Sequence, residues 1–250
     1  MAEVANDSVN PDISLLRDIN GLARQAPHGV DRGVEILGEY GLVALCLLLA
    51  GWCWWRVARR APRAEAPVAV AGVAWAVAAG AVALLLAVPV RALVQRPRPY
   101  TEHDGLDVLI RPGHHFSFVS DHAALTAAVA VGLFMVSRGW GTVVIVLALA
   151  EGFTRVYLGV QYPTDVIGGF ALGAATALLL APLGLALFTA LARRVAGTRA
   201  APLVHAARAG AGGGGGTAAA SGSAASASAS AATPPGAAAR PSAADNDLAA

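Results

Sequence analysis

Apolar positions fall into five long blocks along this chain, at about Tyr40–Trp55, Val68–Val90, Ser120–Val136, Gly141–Tyr157 and Val166–Leu191. Each is close to the ~20 residues that a helix needs to cross ~30 Å of hydrocarbon. The pattern therefore predicts an all-α fold, a polytopic membrane helical bundle of about five transmembrane helices. Ahead of the first block, between Asp12 and Glu39, the apolar residues Ile13, Leu16, Ile19 and Leu22 recur at helical spacing among charged neighbours. Such a stretch fits a helix lying in the headgroup region, and it fits a solvated N-terminal helix equally well. The expected organisation is an N-terminal amphipathic, interfacial segment over 1–39, a transmembrane domain over 40–194 and a tail over 195–250.

Composition supports a membrane as the solvent. The chain is 56% hydrophobic and 14% charged, too apolar for a soluble domain to cover its surface with polar groups. A net charge of +2, spread along the chain, argues against a nucleic-acid partner. Cys46 and Cys53 lie seven positions apart in one apolar block, so they share a helix face as packing or lipid-facing residues rather than framing a disulfide or a metal motif. The opening residues MAEVANDSVNPD are polar and acidic, where a cleavable signal needs a basic region and an apolar core, so the mature chain is expected to begin near Met1. Beyond about Ala209 the sequence is almost purely Ala, Gly, Ser and Pro, a composition expected to stay disordered on the cytoplasmic side.

All 18 basic residues are arginine. Arg56, Arg59, Arg60 and Arg63 follow the first block, Arg138 the third, and Arg193, Arg194 and Arg199 the fifth. With alternating crossings these share one side, which the positive-inside rule makes cytoplasmic. The segment from Arg91 to Val119 then faces outward, in the inner membrane of a cell. It carries Arg91, Arg96, Arg98 and Arg111 against the bias, and phosphate binding is a reason for arginines to be there.

Three polar clusters fall at these outer ends. One runs from Arg91 through Arg96-Pro-Arg98-Pro-Tyr100, one reads Phe116-Ser-Phe-Val-Ser120-Asp121-His122-Ala123, and one reads Thr154-Arg155-Val-Tyr-Leu-Gly-Val-Gln161-Tyr-Pro-Thr-Asp165. Guanidinium forks pair bidentately with phosphate oxygens and keep their charge. Arg155 lies inside an apolar block, one helical turn after Glu151; ionisable residues there usually mark function, and a structural Glu151–Arg155 pair is the other reading. Ser120 suits an N-cap, and the helix it opens would point backbone N–H groups at an anion. His122 has an ordinary pKa near working pH, which suits an acid.

The clusters resemble the three motifs of the type 2 phosphatidic acid phosphatase, or lipid phosphate phosphatase, superfamily. The SDHA and YPTDVIGG stretches are most similar to bacterial undecaprenyl-diphosphate phosphatases of the bacitracin-resistance type. The resemblance implies that Arg91, Arg98, Ser120 and Arg155 hold the phosphoryl group, with Arg91 standing where the family prefers lysine. It implies that His122 protonates the leaving oxygen, and it implies no metal or cofactor. Asp121 replaces a motif glycine, and its carboxylate repels phosphate unless it turns toward Arg91, Arg96 or a metal ion. The main departure is Gln161, at the position of the family's nucleophilic histidine. An amide nitrogen is not basic, so covalent catalysis is unavailable there, and Asp165 is left either as a catalytic residue without an imidazole or as a helix cap. His103, His114 and His115 are other outer-face imidazoles. Two functions follow as expectations. The first is hydrolysis of a polyprenyl diphosphate or related lipid phosphate at the outer face, with Gln161 positioning water. The second is binding of lipid phosphate without turnover. The expected partners are that lipid substrate and the surrounding membrane lipids.

Overall fold

The computed structural model describes residues 10–103, 105–110 and 116–204. Its helices are α1 (Pro11–Gln25), α2 (His28–Ile36), α3 (Leu42–Arg60), α4 (Ala66–Val94), the short α5 (Pro99–Glu102), α6 (Asp121–Val136), α7 (Arg138–Tyr157), α8 (Pro163–Leu179) and α9 (Ala181–Ala196). No strand occurs among the described residues; one isolated bridge joins Pro97 and Phe116. A π-helical turn over Leu37–Gly41 joins α2 to α3 without a break, giving one helical rod from His28 to Arg60.

Helix α6 is the axis of the bundle, packed on α4, α7 and α8, while α9 lies against α4. Small residues permit that packing. A side chain on Gly173 of α8 would run into the Ala124 carbonyl oxygen of α6, and one on Gly132 of α6 would meet the Ala76 backbone of α4 at 2.6 Å. Backbones approach this closely where lipid offers no hydrophobic drive and dispersion between helices must serve instead. Outward-facing leucines such as Leu48, Leu85 and Leu179 are 70% or more exposed, as helices facing acyl chains should be. Cys46 and Cys53 are both buried in the contact of α3 with α4 and α7.

Three helical segments, His28–Arg60, Ala66–Val94 and Arg138–Tyr157, are long and apolar enough to cross a membrane, and α8 with α9 makes a fourth if that pair, bent by 56°, is one span. The five apolar blocks thus become helices of unequal reach. Helix α6 has 16 residues, about 24 Å at 1.5 Å per residue. The last block breaks at Leu180, just before Pro182, whose ring cannot continue a helix interior.

Helix α1 docks on α7 and α8. Ile13, Leu16, Asn20 and Ala23 turn inward, whereas Leu15 and Leu22 remain about half exposed. Of the apolar positions spaced along it in the sequence, Ile13 and Leu16 face protein and Leu22 faces out.

Candidate active site

The site lies where α4 ends and where α6 and α8 begin. Helix α4 stops at Gln95, whose left-handed backbone (φ 50°) accompanies a bond from its N–H to the Arg91 carbonyl. Pro97 and Pro99 then forbid a resumed long helix, and the loop is stitched to the next motif by the Ser117 N–H donating to the Arg96 carbonyl at 2.9 Å. This turn brings Arg91, Arg96 and Arg98 to one end of the bundle. Ser120 caps α6, its side chain accepting from the Ala123 N–H at 3.4 Å. After α7, Gly159 takes φ 71° with the Asp107 carbonyl oxygen 2.8 Å from where a side chain would begin. Only glycine fits that turn, which leads directly into Gln161.

The predicted phosphate ligands are gathered here, and each already has a protein partner. Arg91 pairs with Asp121, the orientation that removes the carboxylate's repulsion. Arg98 is 1% exposed and donates to the Val160 carbonyl at 2.9 Å. Burial lowers the pKa of Arg98, and the charges of Arg91, Asp121 and Asp165 all act on it. Arg155, 2% exposed, donates from Nε to Glu151 at 3.0 Å, from Nη1 to Glu39 at 3.1 Å and from Nη2 to the Gly38 carbonyl. His122 stands with Nε2 3.4 Å from the Glu39 carbonyl. Glu39, Asp121 and His122 line a cavity of about 480 Å³ together with Leu47, Leu84 and Leu125.

Gln161 is 5% exposed. Its Nε2 donates to the Ser117 carbonyl at 3.2 Å, while Oε1 is buried without a hydrogen-bond partner. Asp165, fully buried, does not bond Gln161. It accepts from Arg96 at 2.8 Å and from the Tyr162 N–H at 3.2 Å. Tyr162 is the N-cap of α8, with Pro163 at the first helical position. Asp165 therefore sits three residues in and reaches back to the cap N–H, rather than capping the helix itself.

Sequence reasoning did not single out Glu39, and it considered Arg96 as one of the outer-loop arginines suited to phosphate and as a partner for Asp121. Arg96 instead holds Asp12 at 2.7 Å, Thr164 at 2.7 Å and Asp165, and it stacks 3.7 Å above the Tyr162 ring. Burial raises the Asp12 pKa, but hydrogen bonds from Thr164 and Arg96 outweigh it and hold the carboxyl below the ordinary range. Tyr162 donates to Glu102 at 3.1 Å, and burial beside that carboxylate pushes its phenol up. A charged residue preceding an apolar block gives no sequence signal of which side chain it will meet, which is why Glu39 passed unnoticed. His103 stacks edge-on to Tyr162 at 6.2 Å. Arg111, His114, His115 and the tail beyond residue 204 lie outside the described residues; the first part of the expected tail is ordered, with α9 running to Ala196 and a 3-10 turn over Ala201–Leu203. Among those described, no three His, Cys, Asp or Glu side chains are grouped as metal ligands.

The described residues thus define an all-α membrane protein with a cluster of arginines at one end of its bundle, beside a cavity lined mainly by apolar side chains. Comparison with known proteins makes the class specific: the chain belongs to the PAP2 superfamily, whose pattern matches residues 69–189. It is 35% identical over 155 residues to the decaprenylphosphoryl-5-phosphoribose phosphatase of Mycobacterium tuberculosis, covering 61% of this chain and 78% of that protein. It is 28% identical over 155 residues to the undecaprenyl-diphosphatase BcrC of Bacillus subtilis, covering 62% and 74%. Among solved structures, Aquifex aeolicus LpxE aligns with a TM-score of 0.48 at 21% identity, covering 68% of this chain and 94% of that one. The chain is a membrane PAP2 phosphatase-like protein.

Proposed function

We propose that the protein hydrolyses a polyprenyl diphosphate or related lipid phosphate at the outer face of the inner membrane, without a covalent intermediate. The observation that carries this reading is the Gln161 carboxamide. Its donor end is anchored to Ser117 and its acceptor end is buried and unused. Gln161 Oε1, like Glu151 Oε2 and Arg91 Nε, has no protein partner, and in this reading a water donating to Oε1 is the one held for attack.

In the proposed reaction Arg91, Arg98, Arg155 and the N–H groups opening α6 hold the phosphoryl oxygens. The water oxygen forms a new bond to phosphorus, and the bond from phosphorus to the leaving oxygen breaks. His122 gives that oxygen a proton and regains one released by the water through solvent. Phosphoryl transfer depends chiefly on positioning and charge stabilisation, so a pathway without a histidine nucleophile is chemically open. The outward orientation is supported by the arginine bias. Arg56, Arg59 and Arg60 lie at the far end of the rod that carries Glu39, and 21 residues at 1.5 Å separate Glu39 from Arg60 by about 30 Å.

A second reading, binding of lipid phosphate without turnover, is favoured by the same glutamine, which cannot act as a base or nucleophile. Phosphate release from pure protein, measured on a panel of polyprenyl and glycerolipid phosphates with Arg155→Gln as the blank, separates the two. Release above the blank supports hydrolysis. Equal vanadate binding with no release supports the binding module.

A further inference from the structure

Arg155 carries more negative charge than it needs. Glu151, fully buried and one turn away on α7, already neutralises it through Nε. Glu39 adds a second carboxylate at Nη1, with its own side chain 26% exposed. A structural ion pair requires one carboxylate, and the second occupies the guanidinium edge on the side of the cavity that Glu39 shares with His122 and Asp121.

The backbone holds Glu39 there by an irregular device. The rod from α2 to α3 takes a π-helical turn over Leu37–Gly41, a local widening often found where a helix serves a site. The turn directs the Gly38 carbonyl to Arg155 and the Glu39 carbonyl to His122, while the Glu39 side chain takes Nη1. One turn of helix thus touches both the arginine and the histidine assigned to the phosphoryl group. In the same cavity, Asp121 pairs likewise with Arg91.

The charges of possible ligands give this arrangement a purpose. The lipids of a bilayer are mostly phosphodiesters, each with a single negative charge, and at the membrane surface they far outnumber any substrate. An uncovered arginine cluster would stay loaded with them. A terminal phosphate monoester carries about −1.5 to −2 near pH 7. Glu39 is already tethered beside Arg155, so an incoming group of equal charge has nothing to gain by displacing it. A group with nearly twice the charge does.

We infer that Glu39 is a specificity-determining residue, a resident carboxylate on Arg155 that sets a charge threshold and admits terminal phosphates while rejecting phosphodiester lipids. This rests on the reading of Arg155 as a phosphate ligand.

The test uses two lipids with the same glycerolipid tail, phosphatidic acid (a monoester) and phosphatidylglycerol (a diester). Binding of labelled phosphatidic acid to the full-length protein in neutral-detergent micelles is competed with phosphatidylglycerol at pH 7.5. The native protein should prefer phosphatidic acid by about tenfold or more, equivalent to at least 1.4 kcal/mol. Glu39→Gln should bring the two lipids within about twofold by gaining affinity for phosphatidylglycerol. Glu39→Asp, which keeps the charge, should retain most of the preference. The inference is overturned if Glu39→Gln keeps the preference, if it loses it only through weaker phosphatidic acid binding, or if the native protein shows no preference. Arg155→Gln separates the two levels: unchanged phosphatidic acid binding in that variant refutes the phosphate role of Arg155 itself. If Glu39→Gln proves too unstable to purify, Glu39→Asp and a repeat at pH 5 keep the test sharp. Phosphatidic acid loses most of its second charge at that pH, and the native preference should shrink toward unity; a preference unchanged at pH 5 overturns the charge threshold.

Discussion

If Gln161 stands at the position of the superfamily's nucleophile, as the motif resemblance implies, Gln161→His restores that group, and the structure sets how much it can return. The position is 5% exposed, so an imidazole of similar length stays out of bulk water; it gives up the bond that the amide now donates to the Ser117 carbonyl, because its single N–H goes to Asp165 and its other nitrogen to phosphorus. Orientation is the limiting factor. Asp165 accepts from Arg96 and from the Tyr162 N–H and also interacts with the Ser117 hydroxyl, which uses about three of its roughly four acceptor sites. The one that remains has to hold the imidazole tautomer. A positioned histidine typically contributes about 10²–10⁴-fold. With Asp165 shared, the lower end applies, on the order of a hundredfold in kcat, or ~2.7 kcal/mol of barrier. Asp165→Asn in the Gln161→His background should remove most of that gain. The assay is phosphate release from a polyprenyl diphosphate, paired with acid-quench trapping of a phosphoenzyme, which should appear only in the Gln161→His variant. Equal turnover by the native protein and the variant, with no phosphorylated imidazole, would refute the reasoning and leave direct attack by water as the route.

Three further outcomes follow from the packing and the ion pairs. Arg96→Gln leaves fully buried Asp165 without its cation; breaking such a pair costs ~3–5 kcal/mol, and because the Arg96 side chain is 27% exposed we expect about 2–3 kcal/mol, read as a fall in Tm that Arg96→Gln with Asp165→Asn largely reverses. Gly173→Ala drives a methyl into the Ala124 carbonyl oxygen and should destabilise by ~1–3 kcal/mol, while Gly51→Ala, with nothing within 4 Å, should be neutral or stabilising in the same melts. The depressed Asp12 carboxyl contributes stability that is fully present above its ordinary pKa of 3.8 and is lost as pH falls through the lower folded value. The Tm gap between the native protein and Asp12→Asn should therefore stay constant from about pH 5 to 8 and close only below about pH 4.

The apolar blocks and motif spacing made the helices and the clustering of polar segments legible, because both depend on local periodicity and on short stretches of chain. That Arg91, Arg98, Ser120, His122 and Arg155 gather at one end of the bundle was readable for that reason, as was the Glu151–Arg155 pair one turn apart. Contacts between distant segments were not. Nothing near Arg96 in sequence indicates that its partners are Asp12 and Asp165, 84 and 69 positions away. The reach of each helix was blurred as well, since hydropathy marks apolar stretches but not the break at Leu180 or the π turn at Leu37–Gly41. Gln161 was legible as a departure, yet only the structure assigns its two amide ends different surroundings.

The N-terminal segment shows how the two levels meet. A helix that merely rested among headgroups would turn its polar side chains to water. Here Asp12 reaches Arg96 and Thr164, Asn20 donates to the carbonyls of Asp107 and Tyr157 and accepts from the Asp107 N–H, Asp31 accepts from the Tyr157 hydroxyl, and Glu39 takes Arg155. Four polar residues between Asp12 and Glu39 all face protein, and three of their contacts fall on groups next to or within the proposed phosphate seat. Buried polar groups left without partners cost ~1–3 kcal/mol each, so removing the segment would strip Arg96 of Asp12 and leave the Tyr157 carbonyl and the Arg155 guanidinium short of acceptors or donors together. The N-terminal helix and the rod that follows it are therefore a wall of the candidate site, and the charge around the proposed phosphate seat is set as much by residues 12–39 as by the three motifs.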